Sequence, residues 1–472
     1  MIDSVLYRTL VPDAPLHRRT EADPGTAHGR ERQTALRSAA AYTPGLQKPR
    51  LNSSWQGRIE QLLLSFPAWA TGDPETSAGY RSVIAAMRPG TEFVVVHTPQ
   101  QRGTVEGWFR QAGHAEVTYV PMPEYVSFTD WAEDGYVALT DGSDGSAYLV
   151  EPWQFLRAGD ALIADAVEEY TDIRAAQAPL VFQGGNCLIG DDFWLLGTDY
   201  YADTISLVQG GRPPVAVPDG ADLDAFVRGL FHDYVDASRE LHLVGTRRPI
   251  AVRDFVGRRE GPPDQPEWFL DLPSDGVGAY QPIFHIDMFV TLVGRRDDRF
   301  TVLVGDPSMA DSMLGTRSPY GLADAYDQIA RAFAGAGMDV VRNPLVHRPT
   351  RGRAFSVADL RRIAERDGNA ALLEAVAELI DLGAADDTRV TVRTWHHITW
   401  NNCLVEDSAA EGRHVYLPTY GGGAPDLAAL DAHMATLWEG LGYTVHALAD
   451  FGSFARRQGV VHCIKKYLRR GD

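Results

Sequence analysis

The sequence predicts an α/β fold assembled from about five similar units, each a pair of short strands with an accompanying helix. Three observations carry this. Apolar runs of strand length recur in pairs across tight polar turns. Amphipathic segments of helical period fall between the pairs. The composition, 44% hydrophobic and 23% charged over 472 residues, is that of an ordinary globular chain with a large core.

Taken in order, residues 1–50 are rich in Arg, Ala, Thr and Pro and show no period, so they read as a loosely draped arm. Residues 55–66 carry Ile59, Leu62, Leu63 and Leu64, and this stripe predicts a helix. A second helix is expected over 77–87. The pattern then changes. Residues 93–97 form an apolar run that suits a buried strand, 104–113 a helix, and 116–120 a second strand. Strand pairs follow at 136–139 with 147–150, 186–189 with 193–197, 288–293 with 300–304, and 401–405 with 414–417. Their turns are built from residues such as Gly142-Ser143-Asp144-Gly145 and Gly190-Asp191-Asp192.

Helices are predicted at 221–236, 323–334 and 427–441, each with i, i+3, i+4 apolar spacing. The longest spans 357–382, with Ser356 as N-cap, Asp359 in the first turn and Gly383 beyond its end.

Charge narrows the function classes. There are 44 Lys+Arg against 63 Asp+Glu, a net charge of −19. Nucleic acids and anionic membranes need basic patches, so neither is an expected partner. No apolar run reaches membrane-spanning length, and the N-terminus lacks a secretory pattern. Three widely spaced cysteines, Cys187, Cys403 and Cys463, fit neither a disulfide framework nor a zinc site. A reducing, cytoplasmic setting is expected. Glycine-rich nucleotide loops and zinc-helix motifs are absent, so no cofactor is indicated.

Five clusters remain. Asp130-Trp131-Ala132-Glu133-Asp134 packs three acids beside a tryptophan; taken alone, it also reads as a solvated loop. His285-Ile286-Asp287 opens an apolar run; on a strand His285 and Asp287 would share one face, as an acid/base pair or as surface polar residues. Gln458-Gly459-Val460-Val461-His462-Cys463 ends in a cysteine that is either a small buried hydrophobe or a nucleophile. Gln183-Gly184-Gly185-Asn186 and Asn401-Asn402 begin strands, while Cys187 and Cys403 sit inside apolar runs and read as packing residues.

In this order the clusters resemble those of the penteins, the guanidine-modifying superfamily of deiminases, dihydrolases and amidinotransferases. Trp131-Ala132-Glu133-Asp134 is similar to its W-x-x-D segment, Gly184-Gly185-Asn186 to its G-G-N/D strand, and His285-Ile286-Asp287 to its H-x-D pair. Gly459 to Cys463 resembles the G-x-V-H-C ending of protein-arginine deiminases. The resemblance implies a five-bladed α/β propeller of ββαβ modules over residues 91–472, with 1–90 an N-terminal arm and helical segment.

It further implies a deiminase that turns a guanidino group into a ureido group and ammonia. The substrate would be peptidyl-arginine or a small arginine derivative. Cys463 would be the nucleophile, His285 the acid/base, and Asp134 and Asp287 the carboxylates that hold the guanidinium. Trp131, Asn186 and Asn402 would bind substrate. Transfer of the amidino group to an amine, and guanidine binding without catalysis, are the rival readings.

Two departures stand out. Gln183 occupies the place where free-arginine deiminases carry Glu, and the first 90 residues are too few and too strand-poor for the immunoglobulin-like domains of animal protein-arginine deiminases. Calcium dependence is left open, as no ligand set can be placed.

Overall fold

The computed structural model describes residues 6, 9, 10 and 46–471, except 154, 156, 158, 212–214 and 275. Most of the arm expected over residues 1–50 therefore lies outside the described residues.

Within them the chain forms five sheets. Four repeat one plan: an antiparallel hairpin, then helix, then a third strand parallel to the second. In the first, Val137–Asp141 pairs with Ala147–Glu151, and Arg174–Gln177 returns parallel after the helix Ile163–Tyr170. The second uses Cys187–Ile189, Phe193–Gly197 and Glu240–Val244. The third uses Val290–Arg296, Arg299–Asp306 and Asp339–Ser356, and the fourth Leu404–Ser408, Gly412–Thr419 and Thr444–Asp450. The hairpin–helix–strand repeat predicted from the sequence is present in each.

The fifth sheet joins the two ends of the chain. Arg58–Phe66 lies between the C-terminal strand Lys465–Gly471, antiparallel to it, and Glu92–His97, parallel to it. This corrects the helix predicted over 55–66. Leu62, Leu63 and Leu64 are fully buried in succession, which a helix with one apolar face cannot do. A strand covered on both faces can, and periodicity alone does not separate the two. Each of these leucines is worth about 2 kcal/mol of burial. The division expected at residue 90 thus falls within one sheet.

Two further corrections are local. The helix predicted over 357–382 is two helices, Val357–Arg366 and Ala370–Asp381. Gly368 turns through φ +61° and Asn369 caps the second helix by accepting from Leu372 N. Ser356 caps the first as expected. Second, His285 and Asp287 do not start a strand. Residues Ile286–Met288 form a single 3-10 turn and the strand begins at Val290.

Both helices lie between the arms of a long hairpin, Asp339–Ser356 with Arg389–Thr399. This hairpin widens the third sheet to six strands by adding Glu267–Leu272 and Val256–Glu260. The extension has its own core, in which Leu6 and Leu10 pack with Leu360, Leu372, Val376 and Val392. No described helix is long and apolar enough to cross a membrane.

Candidate active site

The segments singled out in the sequence meet at one buried place. Backbone hydrogen bonds tie them: Glu133 N donates to Cys463 O at 3.1 Å, and Gly184 N to Asp134 O at 3.3 Å. Gly459 is required by close approach, since a Cβ there would come 2.3 Å from the Trp131 ring. Gly185 is required likewise, its Cβ position being 2.6 Å from His285 Nδ1 and 3.2 Å from Asp287 Oδ2. His285 and Asp287 therefore converge although no strand carries them.

Cys463 lies in the turn before the C-terminal strand and is 3% exposed. Its Sγ is 3.8 Å from Asp287 Oδ2. Burial and the two carboxylates Asp287 and Asp134 push its thiol well up. Burial, with Asp134 and Glu133 near, likewise raises the Asp287 carboxyl well above the carboxylate range. His462, the neighbour of Cys463 in its motif, places Nδ1 at 2.8 Å from Asp287 Oδ2. Burial holds its imidazole neutral.

Asp134 faces the same space. Its Oδ2 accepts from Arg157 Nη2 at 2.7 Å, and its Oδ1 lies 3.6 Å from His285 Nδ1. His285 Nε2 is 2.7 Å from Gln183 Oε1. An amide oxygen only accepts, so Nε2 carries the proton and Nδ1 is left facing Asp134. Asp134 Oδ1 and Asp287 Oδ1 are buried without a hydrogen bond among the described residues. Unpaired buried carboxylate oxygens are costly, and N–H donors on a cation would satisfy them.

The two asparagines brace the site. Asn402 Oδ1 accepts from His462 N at 2.8 Å and Cys463 N at 3.3 Å, while Nδ2 donates to Cys463 Sγ at 3.2 Å. Its amide thus holds the cysteine turn and also acts on the Asp287 carboxyl. Asn186 Oδ1 accepts from Ile286 N and Gln281 Nε2, both at 2.9 Å, and so braces the His285–Asp287 turn from behind. Trp131 lines the cavity. The Arg457 guanidinium sits 5.1 Å from its ring centroid, held by Asp130 at 2.6 Å.

Two buried lysines carry no signal in the motifs. Lys465 and Lys466 both reach Glu133, at 2.7 and 2.8 Å, fully inside the protein. Burial lowers Lys465 to about 8. The adjacent pair Lys465-Lys466 in an otherwise apolar run was the available signal. Arg157 had none. Among the described residues, no group of three or more His, Cys, Asp or Glu is arranged to hold a metal ion.

The fold has solved counterparts. The agmatine deiminase of Enterococcus faecalis superposes with a TM-score of 0.51 at 14% identity, covering 90% of this chain and 98% of that one. C. jejuni agmatine deiminase does so with a TM-score of 0.51 at 11% identity, covering 91% and 98%. No family model and no curated protein matches the sequence. The likeness is one of fold, and the fold is that of the penteins.

Proposed function

We propose that the protein is a deiminase, hydrolysing a guanidino group to a ureido group and ammonia through a covalent intermediate on Cys463. One observation supports this above the others. A buried thiol lies beside two carboxylates, each with an unpartnered oxygen, and an imidazole faces the same space.

A guanidinium is planar, permanently charged and a weak electrophile. Held by Asp134 Oδ1 and Asp287 Oδ1, it would replace the missing hydrogen-bond donors. Its positive charge would offset the carboxylates that keep the Cys463 thiol protonated, so substrate arrival itself promotes the thiolate. The thiolate attacks the guanidinium carbon. His285 Nδ1 takes the proton the thiol gave up and delivers it to the departing ammonia, then takes one from the water that attacks the thiouronium carbon and expels the thiolate. Nδ1 is the working nitrogen, because Nε2 is tied to Gln183. Asn402 holds the sulfur on line.

We read the five sheets as the blades of the propeller the resemblance implies, with this site where they converge. The substrate is an arginine derivative, peptidyl or small. The agmatine deiminases that share the fold favour testing the small guanidines first. Cys463 must cycle as a thiol, which suits a reducing compartment such as the cytoplasm.

Ammonia release from agmatine, arginine and an N-acyl-arginine amide tests the reading, with ureido product measured in parallel. Adding glycine or lysine as acceptor separates amidino transfer, which yields no ammonia. Binding without either product would leave only a guanidine-binding protein.

A further inference from the structure

The cavity beside Cys463 is lined by Trp131, Asp134, Gln183, His285 and Arg157 among others, and every one of these is buried. The space left among them is about 10 Å³, no more than one water needs. A guanidinium therefore enters only if something leaves.

One guanidinium is already there. Arg157 Nη2 donates to Asp134 Oδ2 at 2.7 Å, and its Nε lies 2.7 Å from Asp160 Oδ2. The Phe155 ring centroid is 5.0 Å from its central carbon, and the side chain is 8% exposed. Arg457, the other arginine at the cavity, is fixed from several sides by Asp130, Thr76 and the rings of Trp69, Trp131 and Phe454. Arg157 comes from the stretch between the strand Ala147–Glu151 and the turn Asp160–Leu162. It is held mainly by two carboxylates, and one of them is the residue expected to grip the substrate.

We propose that Arg157 is an internal occupant of the guanidinium seat on Asp134, and that an incoming guanidine displaces it. The exchange is like for like: the same planar cation, the same carboxylate partner. It keeps Asp134 Oδ2 paired while the site is idle, so that both oxygens of the carboxylate open to a forked cation only on exchange, and it sets a threshold concentration for substrate. The inference rests on the reading of this site as a guanidine site.

Apparent affinity falls by the fraction of time a competent seat is open. If Arg157 fills the seat about 90% of the time, removing it tightens binding about tenfold. The test titrates guanidinium chloride, with sodium chloride matched, into Arg157→Gln, Arg157→Lys and unaltered full-length chains, read by tryptophan fluorescence. Affinity should rise in the order Arg, Lys, Gln, because lysine keeps the charge but loses the fork. Hydrogen exchange of the peptide spanning 152–160 in the unaltered chain should quicken when guanidinium binds. That readout decides the matter should Arg157→Gln fail to fold. Equal or weaker binding by the variants, or unchanged exchange on binding, overturns the proposal. Ammonia release is scored separately, so tightened binding without ammonia would remove the deiminase reading and leave the seat intact.

Discussion

Asp287→Asn should make Cys463 more reactive in the resting protein. The thiol and Asp287 Oδ2 are 3.8 Å apart, inside the protein. Two unit charges at that separation repel by about 4 kcal/mol at an effective dielectric near 20. Burial raises the Asp287 carboxyl, so only part of that repulsion acts in the resting protein, and asparagine keeps the shape and removes that part. Even a third of that repulsion, about 1.4 kcal/mol, is tenfold in the thiolate population. Alkylation of Cys463 by iodoacetamide at about pH 7.5, followed by peptide mass spectrometry, should therefore run at least about tenfold faster in Asp287→Asn. Asp134→Asn should act in the same direction but less, since Asp287 is the stronger of the two charges acting on the thiol. Cys403, whose thiol is pushed up by burial with no charge from Asp287 acting on it, is the internal control and should not change. An unchanged or slower rate at Cys463, in a variant with undiminished thermal stability, would refute the electrostatic reasoning. Guanidine turnover in the same variant should fall, because half of the cation grip is gone.

Other perturbations have equally defined outcomes. Gly185→Ala pushes a methyl to 2.6 Å from His285 Nδ1, so kcat should drop roughly hundredfold while the melting temperature moves little; steady-state kinetics and a thermal scan decide it. Asn402→Ala leaves the His462 and Cys463 amides without their acceptor. It should cost about 2 kcal/mol in urea unfolding and slow turnover with KM nearly unchanged. Lys465 titrates at about 8 in the fold against an ordinary 10.5, so between those pH values the unfolded chain binds more protons. Its contribution to stability must then rise as pH climbs through that window. Denaturant midpoints at about pH 8 and 10 should show that rise in the unaltered chain and a smaller one in Lys465→Met.

The strands at 93–97, 193–197 and 300–304 were legible because a short apolar run between turns has few other uses. Residues 58–66 were misread because burial on both faces erases the period that distinguishes strand from helix. The long hairpin Asp339–Ser356 with Arg389–Thr399 escaped notice because its outer part, around Arg351 and Arg353, is polar and exposed. The candidate groups were legible because few residue types serve the chemistry proposed: the segments carrying Cys463, His285, Asp134 and Asp287 all meet. Their supports were less so. Asn186 and Asn402 were recognised as important, yet only geometry shows that their amides grip backbone. Arg157 belongs to no motif, and its pairing with Asp134 across 23 residues is a tertiary event.

The central claim is that Cys463 forms a covalent intermediate with a guanidine. Acid quenching during turnover, followed by mass spectrometry of the Cys463 peptide, tests it most directly. The account predicts an adduct of substrate mass less ammonia on Cys463, absent from Cys463→Ala, which should also release no ammonia. Turnover by Cys463→Ala at the unaltered rate, or ammonia release with the label on another residue, would contradict it.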